Sequence, residues 1–177
     1  FTKLILTALL KFATLDPWGM GIEMEAGRPG WDAALNGLPA LFGSSLCETL
    51  ELKRLVIFLQ KTLTVSGIKQ VDLSEEVLEF ILGLSGIIGD EEVIYWDKSA
   101  TLKESYREKV RFGFSGKESS LCTDKLLQIL GRVILKLDSG INKARDGGTY
   151  RTYFINEVSE YESTGKFIKP LKFTQRP

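Results

Sequence analysis

The stretch Ser44-Ser45-Leu46-Cys47-Glu48-Thr49-Leu50-Glu51-Leu52-Lys53-Arg54-Leu55-Val56-Ile57-Phe58-Leu59-Gln60-Lys61-Thr62-Leu63 decides the reading of the fold. Leu52, Leu55, Val56, Leu59 and Leu63 recur at the three-and-four spacing of a helical stripe that faces a core. Ser44 or Ser45 supplies the short side-chain oxygen that caps the free N–H groups of a first turn, and Glu48 suits the positive end of the helix dipole. A helix running to about Leu63 follows from these signals.

The same pattern repeats on both sides of it. Upstream, Phe1 to Leu15 reads as an apolar helix stopped by Asp16-Pro17, because the proline ring disfavours helical geometry in the residue before it. Downstream, Asp72-Leu73-Ser74-Glu75 opens a helix of about Ser74 to Leu84 that buries Val77, Leu78, Ile81 and Leu82, and the short connection predicts an antiparallel hairpin with the preceding helix. Asp97 to Phe112 predicts a more polar helix, with Arg107 and Arg111 pairing to Glu104 or Glu108 on a solvated face. Ser119 to about Lys143 predicts a longer one, with Leu126, Ile129, Leu130, Val133, Ile134 and Leu137 along one side. After Asp146-Gly147-Gly148 the alternation of Tyr150, Thr152, Phe154 and Ile155, and later Phe167 to Leu171, predicts two strands. The expectation is a mainly α chain with a small β segment at its end, divided into residues 1–147, which carry the loop 16–43, and a β-rich tail, 148–177.

Bulk composition narrows the function. The 177 residues, 44% of them apolar, suffice for one ordinary core. Lysine plus arginine equals aspartate plus glutamate at 23 each, so no net field draws the chain to nucleic acid or to an anionic membrane. No histidine is present, which removes the usual zinc constellations and any Ser-His or Cys-His pair from this chain, and no metal or organic cofactor is expected. Cys47 and Cys122 fall in expected helices and read as buried free thiols. The opening apolar run is shorter than the roughly 20 residues of a membrane span and lacks the basic start and small-residue cleavage site of a signal peptide, so it reads as a core helix of a fragment whose preceding partners lie elsewhere.

One loop concentrates the residue types that a chemical site needs. Glu23, Glu25, Arg28, Trp31, Asp32 and Asn36 fall within fourteen residues, preceded by Trp18 and punctuated by Gly27, Pro29 and Gly30. Glycosyl transfer requires an acid for the leaving oxygen, an aromatic face for the sugar's C–H side, and donors for hydroxyls or phosphate. Each position has a plainer alternative: a core tryptophan, a solvated glutamate, Asp32 as a helix cap, Asn36-Gly37 as a turn. Their clustering in a long, apolar loop between two helices favours the functional reading. Trp96-Asp97 behind Glu91-Glu92 reads as a helix N-cap, and Ser115-Gly116-Lys117 and Asp146-Gly147-Gly148-Thr149 lack the spacing of a phosphate loop.

Pro29-Gly30-Trp31-Asp32-Ala33-Ala34-Leu35-Asn36-Gly37-Leu38-Pro39 resembles the active-site motif of cellobiose phosphorylase and its relatives, including the 1,2-β-oligoglucan phosphorylases. The likeness covers roughly Gly19 to Leu55. It implies an inverting glycoside phosphorylase of the six-hairpin glycosidase superfamily, and for this chain the C-terminal part of an (α/α) six-hairpin barrel. It further implies β-linked glucose oligosaccharides and inorganic phosphate as substrates, the N-terminal remainder of the same enzyme as a partner, and a cytoplasmic setting in which a homodimer is compatible. An ungapped match on Trp31 sets Asp32 at the family's asparagine and Ala33 at its catalytic aspartate. Either Asp32 has taken the acid's role through a one-residue shift or the acid is missing. Trp18, Glu23, Glu25, Arg28, Trp31 and Asn36 are the implied substrate contacts. An inverting hydrolase would need a second carboxylate roughly 6.5–9.5 Å away to activate water, for which Glu23 or Glu25 are the local choices, and a catalytically silent sugar-binding module needs neither.

Overall fold

The computed structural model describes residues 1–23, 43–165 and 167–176. The first helix, α1 (Thr2–Phe12), buries Ile5, Ala8, Leu9 and Phe12, the face set by the apolar spacing. It stops three residues earlier than expected, because Leu15 leaves the helix to bridge Ile22 across a tight turn. That turn leads into β1 (Ile22–Glu23). The chain re-enters the described structure at β2 (Gly43–Ser45), which runs directly into α2 (Leu46–Ser66) with Leu52, Val56, Leu59 and Leu63 on its buried side.

Two strands that the sequence did not announce follow. β3 (Gln70–Ser74) pairs antiparallel with β4 (Glu118–Cys122), Val71 opposite Leu121. Each runs straight into a helix, α3 (Glu75–Ile87) and α5 (Thr123–Lys143) respectively. The residue just ahead of each partner strand also satisfies the first helical N–H group: Glu75 N donates to Lys117 O at 3.0 Å and Thr123 N to Lys69 O at 2.9 Å. Ser74 consequently makes no side-chain cap, and the capping box expected at Asp72 to Glu75 is replaced by strand pairing. The same pairing delays α5 from the expected Ser119 to Thr123.

Between α3 and β4 lies α4 (Glu92–Lys109), which begins five residues before the expected Asp97. Helix α2 packs on α5, and α3 on α4, so the expected α2–α3 hairpin is not the main pairing. After α5 a small hairpin of β5 (Arg145–Asp146) and β6 (Thr149–Tyr150) leads to β7 (Tyr153–Thr164) and β8 (Phe167–Arg176). Strand β7 pairs with β2 on one side and β8 on the other, which completes an antiparallel sheet in the order β1-β2-β7-β8. Pro170 sits in β8, the edge strand, where a missing N–H is tolerated.

Five helices and this four-stranded antiparallel sheet make the described structure a mixed α/β arrangement, which overturns the expected mainly α barrel fragment. The physical reason is that β1 and β2 are only two and three residues long, too short to show alternation, and are strands only because β7 arrives from the far end of the chain. The helices share one continuous core that includes Phe12, Leu59, Phe80, Tyr95 and Leu130. A smaller cluster of Met20, Leu46, Ile141, Ala144 and Phe154 joins the first turn, α2, α5 and β7. Cys47 and Cys122 are free but exposed, because each falls on the outward side of its element. Among the described residues, no helix is long and apolar enough to cross a membrane.

Candidate functional site

The turn from α1 into β1 is organised by a fully buried carboxylate, Asp16. Its Oδ1 accepts from the backbone N–H of Trp18 at 3.0 Å and of Met20 at 2.9 Å, and its Oδ2 accepts from Gly21 N at 3.0 Å and from Ser44 Oγ at 2.6 Å. Burial pushes the Asp16 carboxyl up, and these four donors pull it back toward the charged form. All four donors come from the turn or β2, so Asp16 is a structural tie rather than a group free to react. Sequence reading took Asp16-Pro17 only as a helix stop. The signal for more was an aspartate followed within five residues by two glycines, a pattern that suits a side chain bonding the backbone just ahead of it.

The turn is clamped from the other side by α5. Gly19 has φ of +70°, in the left-handed region, and its carbonyl oxygen lies where a Cβ on Gly140 would be, 1.8 Å from that atom's ideal position. Thr49 Oγ1 donates to Met20 O at 2.8 Å, adding a bond from α2. Glu23 emerges from this frame on β1, its backbone N–H donating to Thr14 O at 2.7 Å.

The Glu23 carboxyl meets the indole of Trp96, whose Nε1 lies 3.1 Å from both Oε1 and Oε2. Desolvation pushes this carboxyl up to about 7, with Asp16 adding to the rise while the Trp96 hydrogen bond and Lys103 oppose it. Trp96 is held in turn by Phe173 of β8, edge to face, with centroids 5.0 Å apart at 74°. Helix α4 is itself docked by two donors onto the carbonyls that end α1: Tyr95 Oη to Phe12 O at 3.0 Å and Ser99 Oγ to Ala13 O at 3.1 Å. The arrangement is a half-buried carboxylic acid on a short strand, pinned by an indole donor and half protonated near neutral pH. A group in that state can deliver a proton to a leaving oxygen.

Of the residues singled out from the sequence, Trp18 and Glu23 are described, and they flank the same turn. Glu25, Arg28, Trp31, Asp32, Ala33 and Asn36 lie outside the described residues. Trp96 and Asp97, expected at a helix start, stand inside α4, whose N-cap is Glu91. This places Trp96 over Glu23, a role that no local pattern revealed. Arg107 pairs with Glu104 at 3.2 Å as expected, and Arg111 lies over the Phe112 ring. Among the described residues no group of three acidic or cysteine side chains is placed to hold a metal ion. No family model matches this chain, and no curated protein matches it.

Proposed function

We propose that this chain carries the acid of an inverting glycoside phosphorylase acting on β-linked glucose oligosaccharides, with Glu23 as the proton donor. One observation supports the reading above the others: the Glu23 carboxyl, held 3.1 Å from the Trp96 indole nitrogen and pushed by desolvation up to about 7, directly precedes in sequence the loop that resembles the phosphorylase motif. A carboxyl raised in this way is an acid, whereas the water-activating partner of an inverting hydrolase must be ionised. Phosphorolysis needs only the acid. An oxygen of inorganic phosphate bonds to the anomeric carbon as the bond from that carbon to the departing sugar oxygen breaks. The Glu23 proton goes to that oxygen, and the products are an inverted sugar 1-phosphate and a shortened oligosaccharide. Arg28 is the basic residue of the loop that suits the phosphate.

The test is release of sugar 1-phosphate from β-linked glucose oligomers with and without inorganic phosphate. Glu23→Gln keeps the size and loses the proton, and it is expected to lower phosphorolysis by about 100-fold or more. Wild-type turnover that is independent of phosphate, or a Glu23→Gln variant that turns over normally, overturns the proposal.

A further inference from the structure

Beyond the acid, the same turn builds one wall of a groove of about 400 Å³, within the size range of small-molecule sites. Trp18 lines it with 40% of its surface exposed, facing Leu171 and Phe173 of β8, while Glu91, Lys143 and Lys172 stand at the rim. We infer that this groove is a carbohydrate subsite in which a pyranose ring stacks on Trp18 and its hydroxyls bond Glu91 and the rim lysines. The occupant would be the part of a β-linked glucose oligomer remote from Glu23.

Four features carry this. Trp18 is a large apolar surface held in the open by a rigid turn: its backbone N–H is tied to the buried Asp16 and its neighbour is a buried proline. Exposed tryptophan on so fixed a backbone marks a contact surface more than it marks a core that failed to close. The rim is polar but nearly balanced, since Lys143 pairs with Glu92 and Lys172 with Glu160 at 3.1 Å. A neutral, hydroxyl-rich ligand suits it better than a phosphate, which meets Glu91, or an organic cation, which meets the two lysines. Glu91 is the N-cap residue of α4, its side chain makes no cap hydrogen bond, and it lines the groove. Finally, Phe173 belongs to both places: it lines the groove and it packs edge to face on Trp96, the residue that donates to Glu23. Groove and acid are therefore linked through Phe173, which lines the one and packs on the indole that holds the other, as two subsites along one oligosaccharide would be.

This inference rests on the proposed carbohydrate chemistry, but it is separable from the role of Glu23. Calorimetric titration of the chain with short and longer β-linked glucose oligomers, without phosphate, reads the groove. Trp18→Ala is expected to weaken binding of the longer oligomers about tenfold, and Trp18→Phe, which keeps an aromatic face and controls for disruption of the turn, is expected to retain most of it. Glu91→Gln is expected to weaken binding by a smaller factor. Glu23→Gln, assayed in parallel for turnover, reports on the acid alone. Equal binding by wild type and Trp18→Ala overturns the subsite and leaves the acid untouched. Trp18-dependent binding with no phosphorolysis by wild type upholds the subsite and overturns the enzymatic reading. Wild type that binds no glucose oligomer, or that prefers a quaternary ammonium ion, overturns the subsite outright.

Discussion

Glu23 feels influences of opposite sign, and their balance gives its chemistry. Loss of water and the nearby Asp16 favour the neutral acid, while the Trp96 indole and Lys103 favour the carboxylate. Trp96→Phe removes a donor to the charged form, so the Glu23 value is expected to rise further, and the alkaline limb of a pH–rate profile to move upward. The same shift is a statement about folding. Glu23 binds its proton more tightly folded than unfolded, so its contribution to stability is neutral below the ordinary value of 4.5 and becomes a full cost above about 7. Across that window wild type is expected to lose about 3 kcal/mol relative to Glu23→Gln, read from denaturant midpoints at pH 4 and pH 8. A pH-independent difference between the two would show that Glu23 is not desolvated. At position 33 the resemblance makes a rival forecast: if the acid belongs at Ala33 rather than at Glu23, Ala33→Asp raises phosphorolysis, which would count against Glu23 as the donor, whereas no change would sink that alignment of the loop.

At the scale of elements, two glycines of α5 invite the same substitution with opposite outcomes. Gly131 has only Gln60 Nε2 near its missing Cβ, at 3.7 Å, so Gly131→Ala is expected to stabilise the chain by about 0.5–1 kcal/mol through helix propensity. Gly140 abuts the Gly19 carbonyl, so Gly140→Ala must push α5 away from the turn that holds Trp18 and leads to Glu23. A cost of about 1–3 kcal/mol is expected in chemical denaturation. Periodicity identified the buried stripes of α2 and α5 because those faces are continuous and long; in α3 it found Val77 and Ile81 but set Leu82 in the core, where the structure exposes Leu82 and buries Phe80 and Leu84. It missed β3 and β4 because Gln70 to Ser74 and Glu118 to Cys122 are half polar, and each becomes a strand only opposite the other. It also placed the start of α4 late: Trp96-Asp97 looked like a boundary, whereas Glu91 is the cap.

For the molecule as a whole, the decisive contacts are those that join distant parts of the chain. Phe154 of β7 is buried with Met20 of the first turn, Leu46 of α2 and Ile141 of α5, so the sheet and the helices share a core at that point. Phe154→Ala is therefore expected to cost about 3–5 kcal/mol and to lower the midpoint of thermal unfolding by about 10 °C. The loss should appear equally in helix and tryptophan signals. Two separate transitions would show that the late strands fold independently of the helices.

By itself the amino-acid sequence determined the helical stripes, the late strands, the absence of histidine chemistry and the loop on which the sugar reading rests, because each of these is written in neighbouring residues. Tertiary structure alone decided that Asp16 is a tie, that the Glu23 carboxyl is desolvated and held above the ordinary carboxylate range, and that Trp18 lines a groove rather than a core. Desolvation and hydrogen bonding depend on which residues meet in space. For Glu23 those residues are Trp96 and Asp16, and for the groove they are the N-terminus of α4 and the last strand.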